Sequence, residues 1–333
     1  MNTRALAERI RERLSQPDPD QHAQVAELLL SLGDEAAGLW AAARPRGRPT
    51  PDWLHEVAAL GRSLPPDGLA DLTASILPAS PLVEAAAFWM GARAVLDPST
   101  FFARLGRPQQ PLGGDWVDLP GGIFRMGSRR PDTDAWERPS HLVSLAPYAI
   151  LSAPVTRAQL SRMAGGEGST LPAGEVTWLE AWLFAEWAGA ALPTEAQWEN
   201  ACRAGTDAPW SAGYTHAELA AAAWFADNAG GRVRPVRSRA PNPWGLHDMH
   251  GNVMEWCADQ QRIYHAASAA QLDPGRGQQA APLPLHSAMF RVARGGYYGA
   301  TAAQCRSAHR AVFDLFSCFD GLGFRLVRPE PVH

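Results

Sequence analysis

The sequence predicts two domains, a small all-α domain over residues 1–112 and an α+β domain with much irregular structure over residues 113–333. Three observations lead to this prediction. The 333 residues exceed the length of a typical single domain. Apolar residues recur at helical spacing in the first third and in short runs thereafter. Most of the 13 tryptophans, with many glycines and prolines, follow residue 115, a texture typical of short strands joined by ordered loops.

Four apolar stripes with helical spacing predict four helices in the first domain. Clusters of proline and glycine at 44–51 and 64–68 separate them. Helical hairpins that pack together are the simplest arrangement of such stripes. The stripes are Leu6, Ile10 and Leu14; Val25, Leu28, Leu29 and Leu32; Trp53, Val57 and Leu60; and Val83, Ala87, Met90 and Ala94.

Two helices are predicted in the second domain. The first covers Thr177–Trp187, where Trp178, Trp182 and Ala185 recur at helical spacing. The second covers Thr194–Ala204, because a threonine at its start can cap the helix and polar groups fill its first turns. Short strands and long ordered loops are expected elsewhere.

Composition excludes several classes of function. All 30 basic residues are arginine, so Schiff-base chemistry and a P-loop nucleotide site are excluded. A formal net charge of −4 provides no basic field for nucleic acid. Four widely spaced cysteines form no zinc or disulfide pattern and favour a cytoplasmic setting. We expect neither a signal peptide nor a membrane span, because the N-terminus is charged and the apolar runs are short.

Seven motifs follow one another in a fixed order in the second domain. They read LPGGIFRMGS (119–128), ERPSHLVSLAPYAI (137–150), VTWLEAWLFAEWAG (176–189), LPTEAQWENACRAG (192–205), PNPWGLHDMHGNVMEWCAD (241–259), RVARGG (291–296) and GFRLVR (323–328). Over roughly residues 115–328 the chain therefore resembles the formylglycine-generating enzyme family, also called the sulfatase-modifying factor family. The resemblance implies a C-type-lectin-like fold, with a small twisted sheet, two helices and much irregular structure.

The same resemblance implies where an oxidase site would lie. Oxidases of the family hold copper between two thiolates just after the Arg-Gly-Gly motif. The first of these positions is Ala300 here, and Cys305 matches either the second thiolate or a structural cysteine of non-catalytic members. One thiol cannot supply two soft sulfur ligands, so we expect neither copper nor catalysis. A copper oxidase, or another metal-dependent oxidase of the family, is the alternative.

Iron is not expected either. The sulfoxide synthases of the family bind iron through a His-x3-His-x-Glu run in an N-terminal helical domain. The histidines in the matching part of this chain are His22 and His55, which are isolated from one another. Isolated histidines are more often surface residues than metal ligands.

A structural calcium ion is the metal that the resemblance does imply. The matching family segment wraps calcium with the side chains at Asp248 and Glu255 and the carbonyls at Gly251 and Val253. Calcium prefers six to eight hard oxygen ligands, and a glycine between the two carboxylates permits the tight turn they need. The alternative is that Asp248 caps a turn and Glu255 makes an internal hydrogen bond.

The interval between the RGG and GFRL motifs departs from the family pattern. Many family members have Asn at most of these places, and the interval resembles the variable region of diversity-generating retroelement proteins. There, template AAY codons become NNY codons, which never encode Lys, Glu, Gln, Met or Trp, and none of those occurs at the candidate positions. The usual Pro-Asp pair is replaced by Leu315-Phe316. The candidate ligand-binding positions within 297–321 are Tyr297, Tyr298, Gly299, Ala300, Thr301, His309, Ala311, Val312, Phe313, Asp314, Phe316, Ser317, Phe319, Asp320 and Gly321.

The residue types at these positions indicate the kind of ligand. Aromatic side chains mixed with aspartates are typical of a paratope. A broad aromatic surface suits a protein partner better than a small molecule, so we expect an unidentified macromolecular ligand, of protein nature, and no enzymatic activity. The alternative is that these side chains close a hydrophobic core specific to this chain.

Overall fold

The computed structural model describes ten segments of the chain. They are residues 3–14, 19–32, 36–43, 49, 51–63, 87, 112–164, 168–265, 270–273 and 290–329. These segments fall into two compact units, one formed by the residues up to 87 and the other by the residues from 112 onwards. Within them, no helix has the length and apolar content that crossing a membrane requires.

The first unit is helical. Its described helices are α1 (Thr3–Leu14), α2 (Pro19–Leu32), α3 (Ala36–Ala43) and α4 (Pro51–Ser63). The stripes of α1, α2 and α4 point into the core, where Ile10, Val25 and Leu60 are buried. Helix α3 was not predicted from the sequence; it is short and alanine-rich, and it buries Trp40 with its ring 5.4 Å from that of Trp53. The stripe after Pro81 lies outside the described residues except for Ala87.

The second unit mixes short strands with helices, which confirms the predicted α+β class. Its helices are α5 (Arg157–Ala164), α6 (Trp178–Trp187), α7 (Glu195–Arg203) and α8 (His216–Ala222). Its strands are β1 (Trp116–Leu119), β2 (Gly122–Met126), β3 (His141–Leu145), β4 (Tyr148–Leu151), β5 (Met254–Gln260), β6 (Gln271–Leu272), β7 (Phe290–Arg294), β8 (Arg310–Asp314), β9 (Leu322–Gly323) and β10 (Val327–Pro329).

Three small sheets organise these strands. Their strand orders are β1-β4-β10, β2-β3-β6 and β8-β7-β5-β9. All pairs are antiparallel except β3 with β6 and β5 with β9. In the third sheet β8 is an edge strand, and its residues 310–314 pair with β7. This edge belongs to the segment that carries the candidate ligand-binding positions.

Local capping signals define both predicted helices of this unit. Thr177 and Thr194 lie just before α6 and α7, and each forms a reciprocal capping box with the residue three positions later. The predicted capping role of Thr194 is therefore confirmed. Helix α6 is buried on nearly all sides, which explains why its sequence is almost entirely apolar.

Charged residues of α7 pair with arginines of β7 and β8 in the interior. Glu195, the first residue of α7, accepts hydrogen bonds from Nε and Nη2 of Arg310 at 2.5 and 2.8 Å. One turn later, Glu199 accepts a hydrogen bond from Arg294. All four side chains are almost completely buried, so losing one partner would leave an uncompensated charge in the core. These pairs tie α7 to the sheet that carries the candidate positions.

Candidate functional site

The candidate positions lie on two stretches of chain that flank a short 3-10 helix. The first stretch follows β7 and begins after Gly295 and Gly296, both at positive φ. The 3-10 helix covers Ala302–Cys305. The second stretch comprises strand β8 and the loop that leads to β9. Residues 311–314 are thus part of an edge strand that pairs with β7.

Aromatic rings connect the core to the surface across these two stretches. Buried Trp256 contacts Phe313 edge-to-face, with ring centroids 6.0 Å apart. Phe313 contacts Phe319 at 5.6 Å, Phe319 contacts Tyr297 at 5.6 Å, and Tyr297 contacts Tyr298 at 5.3 Å. We call the four partly exposed rings of Phe313, Phe319, Tyr297 and Tyr298 the aromatic row. Edge-to-face packing fixes each ring while leaving part of its area accessible.

Two glycines allow the ring of Tyr297 to lie directly against the backbone. A β-carbon on Gly321 would come within 2.5 Å of the ring, and one on Gly299 within 2.8 Å. Both distances are shorter than any normal carbon contact. The position of Tyr297 at the centre of the aromatic row therefore depends on the absence of side chains at these two residues.

The backbone of the candidate segment is fixed by hydrogen bonds to the surrounding scaffold. The four bonds are Tyr298 N–H to the Asn252 carbonyl (3.0 Å), Glu175 N–H to the Phe319 carbonyl (3.0 Å), Trp178 N–H to the Leu315 carbonyl (3.2 Å) and Met254 N–H to the Gly321 carbonyl (2.8 Å). Their partners lie at the start of α6, at the start of β5 or in the loops just before them. All four bonds join backbone atoms, so they do not depend on which side chains the segment carries.

Two aspartates add polar groups to this surface. Asp320 forms an ion pair with Arg157 at 2.9 Å, and both side chains remain partly exposed. Burial raises the pKa of Tyr298, and the charge of Asp320 raises it further. The carboxylate of Asp314 accepts the N–H of Phe316 at 2.7 Å, which shapes the turn after β8. Arg157 was not among the predicted site residues, because nothing in its local sequence indicates a partner 163 residues away.

Most of the candidate positions have accessible surface. Those that are exposed or partly exposed are Tyr297, Tyr298, Gly299, Thr301, Ala311, Val312, Phe313, Asp314, Phe316, Ser317, Phe319 and Asp320. Cys318, which is not one of the candidate positions, is also partly exposed. Leu315, also not selected, is buried.

Three candidate positions are buried, contrary to the surface placement expected from the sequence. Ala300 is 1% exposed and packs in a small core with Phe225 and Cys305. His309 is 8% exposed, and burial together with nearby arginines lowers its pKa to about 4. Gly321 lies beneath Tyr297. None of the three therefore contributes a side chain to the displayed surface: Ala300 and His309 are buried, and Gly321 has no side chain.

The residues at the family's copper position do not fit a two-thiolate site. Ala300 offers no ligand, and Cys305 is fully buried, so that its thiol has a pKa of about 12. Burial also raises the pKa of Cys202 to about 12, and its sulfur lies 3.7 Å from Nδ1 of His250. A protonated, buried thiol is neither a nucleophile nor a good metal ligand. In the described parts of the chain, no cluster of three or more His, Cys, Asp or Glu could hold a metal.

The residues of the predicted calcium site are engaged with one another and with arginine. Arg325 donates to both carboxylate oxygens of Glu255, at 2.6 and 2.7 Å, and Trp198 donates to one of them at 2.8 Å. The Asp248 carboxylate accepts the backbone N–H of Arg237 at 2.8 Å. A guanidinium paired with both oxygens of Glu255 supplies the positive charge that calcium would bring. These contacts do not fit the four-ligand site and match the alternative of internal hydrogen bonds.

The turn that was expected in this segment is nevertheless present. Gly251 has a φ of 155°, and a β-carbon there would lie 2.2 Å from the Trp224 carbonyl oxygen. Val253, the other predicted carbonyl ligand, is fully buried next to β5. The glycine therefore allows a close approach of two backbone segments.

The fold and this surface together define an α+β scaffold that presents side chains from a fixed backbone. The chain belongs to the family described as the sulfatase-modifying factor enzyme 1-like domain, which matches residues 102–330. This assignment confirms the resemblance drawn from the seven motifs.

Named relatives of the chain include enzymes. The formylglycine-generating enzyme of Thermomonospora curvata is 27% identical over 281 residues, which cover 62% of this chain and 90% of the enzyme. Serine/threonine-protein kinase pkn1 of Chlamydia caviae is 31% identical over 233 residues, covering 60% of this chain and 36% of the kinase. The chain thus spans about a third of that kinase's length.

Solved structures extend the comparison to the fold. Treponema denticola variable protein 1 aligns with a TM-score of 0.55 and 25% identity, covering 67% of this chain and 99% of its own. PvdO from Pseudomonas aeruginosa aligns with a TM-score of 0.54 and 24% identity, covering 67% and 100%. Both likenesses agree with the C-type-lectin-like fold, and the first confirms the resemblance to variable proteins. The relatives therefore include both formylglycine-generating enzymes and a variable protein.

Proposed function

We propose that the chain is a non-enzymatic ligand-binding protein, similar to the variable protein of a diversity-generating retroelement. The aromatic row, carried on a backbone that the scaffold holds by its own hydrogen bonds, is the observation that carries this proposal. A binding surface of this kind can change its side chains without changing its fold. Because the backbone is ordered before binding, little conformational entropy is lost when a ligand docks.

The chemistry of the surface supports a protein as the ligand. Tyrosine and phenylalanine supply large contact areas at low entropic cost and are frequent hot spots of protein interfaces. Asp314 and the Asp320–Arg157 pair add polar groups around the rings. This combination of a central apolar patch and a polar rim is the usual anatomy of a protein–protein interface.

Sequencing the 3′ end of the gene across a growing population, together with the flanking DNA, tests this proposal. We expect substitutions confined to codons 297–321 and traceable to adenines in a neighbouring near-copy. The structure sharpens the expectation: variation at displayed residues such as Tyr298 and Ser317 should exceed variation at buried Ala300. A uniform 3′ end without a near-copy would overturn the proposal.

The alternative, a copper oxidase of the formylglycine-generating type, rests on the enzymes among the relatives. Its test is separate. Copper titration of the purified chain, followed by turnover of a cysteine-containing peptide with and without Cys305→Ser, would support it only if Cys305 were required for both. The buried, protonated state of Cys305 favours the binding protein over the oxidase.

A further inference from the structure

A cavity of about 170 Å³ lies in the second unit, away from the rings of the aromatic row. Its walls come from the end of β2 and the loop after it, from Ser140 before β3, from the end of α7 and the loop that follows, and from Arg306 and Ala308. Five arginines contribute to the lining, together with a single aspartate. These charged residues are Arg125, Arg129, Arg130, Arg203, Arg306 and Asp207.

Two of the arginines form a fixed wall. Arg203 donates to Glu199 at 2.8 Å and to the Gly127 carbonyl at 2.9 Å. Arg306 donates to both carboxylate oxygens of Glu137, at 2.6 and 2.8 Å. Because these hydrogen bonds hold both guanidinium groups in place, their positions do not depend on a ligand.

The remaining arginines leave the cavity with an excess of positive charge. Arg130 pairs with Asp132 at the exposed rim of the cavity. Arg125 and Arg129 have no carboxylate within ion-pair distance in the segments that the structure describes. Asp207 is the only acidic residue among the described residues that line the cavity. The other nearby carboxylates, Asp132, Glu137 and Glu199, are the ion-pair partners of lining arginines, and Glu199 is shared with Arg294.

We propose that this cavity binds a phosphate or sulfate group, free or as a small ester. Planar guanidinium groups match the oxygens of a tetrahedral anion through paired hydrogen bonds, and several arginines around one cavity are the usual way to hold such an anion. Ser128 and Ser140, which also line the cavity, add hydroxyl donors. In the proposed arrangement Arg125 and Arg129 bind the anion, and Arg203 and Arg306 form the wall on the other side of it. This site is independent of the proposed ligand surface.

Calorimetric titration of the full chain with sodium phosphate, sodium sulfate and phenyl phosphate, at constant ionic strength set with sodium chloride, tests the proposal. We expect saturable binding of at least one of these anions and a rise in the melting midpoint that chloride does not produce. Phenyl phosphate binding more tightly than inorganic phosphate would identify an ester as the ligand, and the reverse order would identify the free anion. Both outcomes support the site.

Four variants locate the binding. Arg125→Gln and Arg129→Gln should each weaken binding by about tenfold, because each removes a charged donor. Asp207→Asn should strengthen binding by removing the opposing charge. The matched control is Arg232→Gln, an exposed arginine that does not line the cavity, which should leave affinity unchanged. Absence of saturable binding, or an equal loss in R232Q, would overturn the proposal, and the melting midpoint of each ligand-free variant reports whether it folds.

Discussion

The ring of Tyr297 lies against the α-carbon of Gly321, so that a β-carbon at residue 321 would approach the ring to 2.5 Å. The two residues lie 24 positions apart in the sequence. Their contact joins the two stretches that carry the candidate positions. The same ring contacts Phe319 and Tyr298 on either side. The arrangement of the aromatic row therefore depends on a backbone position that has no side chain.

Gly321→Ala is expected to destabilise the protein by roughly 1–3 kcal/mol, because the added methyl group forces the Tyr297 ring out of its place. The free energy of unfolding in urea measures this loss. In the Tyr297→Ala background, G321A should cost much less, since the ring met at 2.5 Å is then absent and only Phe319, at 3.1 Å, remains close.

Gly113→Ala is the matched control for this prediction. A β-carbon at residue 113 meets no atom within 4 Å, so the same substitution should leave stability nearly unchanged. If G321A were as mild as G113A, the ring of Tyr297 would not be held against residue 321.

Tolerance to substitution should separate displayed from buried candidate positions. Ser317→Tyr and Val312→Phe place large side chains at partly exposed residues, and we expect each to change stability by no more than about 0.5 kcal/mol. Ala300→Tyr inserts the same kind of side chain at a residue that is 1% exposed, and overpacking should cost about 1–3 kcal/mol or more. Thermal unfolding of the three variants measures the contrast; three equal losses would mean that the segment is a core and not a display surface.

Local sequence signals predicted part of this structure correctly. The capping threonine of α7 and the apolar run of α6 are properties of consecutive residues, and both helices form where they were expected. The motif order was sufficient to identify the family, because a fixed succession of motifs reflects one shared fold.

Contacts between distant residues could not be predicted in the same way. The pairing of Glu255 with Arg325 spans 70 residues, and motif spacing cannot show that both carboxylate oxygens are engaged. The burial of Ala300 depends on Phe225, which lies in another loop. Strand β8 was missed because its side chains are partly buried on both faces, so its sequence shows no alternation of apolar and polar residues.

Asp259 should make the stability of the protein fall as the pH rises from about 4 to about 7. This carboxyl is fully buried, and burial together with the nearby charge of Glu195 raises its pKa from the ordinary value of 3.8 to about 7. Between these values the folded state keeps the proton and the unfolded state releases it, so stability present at low pH is lost as the pH rises. Asp259→Asn removes this effect. The free energy of unfolding of the variant, relative to that of the wild type, should therefore rise by on the order of 4 kcal/mol from pH 4 to pH 7.

Urea unfolding of wild type and D259N at several pH values measures the difference between their free energies of unfolding. The contributions of other titrating groups cancel in this difference. Asp132→Asn provides a control with the opposite sign. Arg130 lowers the pKa of Asp132 to about 2, so this carboxylate stabilises above about pH 4 and its contribution is lost only as the pH falls towards 2. Parallel curves for wild type and D259N between pH 4 and 7 would contradict the raised pKa of Asp259.

Removal of calcium should leave the protein as stable as before, whereas removal of the Glu255 charge should not. The Arg325 guanidinium is completely buried and pairs with both oxygens of Glu255. Glu255→Gln leaves this guanidinium without a counter-charge, which typically costs about 3–5 kcal/mol. The melting midpoint of the wild type should be the same in EGTA and in millimolar calcium, with magnesium as the control cation. The opposite result has three parts: calcium raises the melting midpoint of the wild type, magnesium does not, and calcium has no effect on E255Q. This pattern would establish the calcium site implied by the family resemblance, because it requires a carboxylate that can leave Arg325 for the ion.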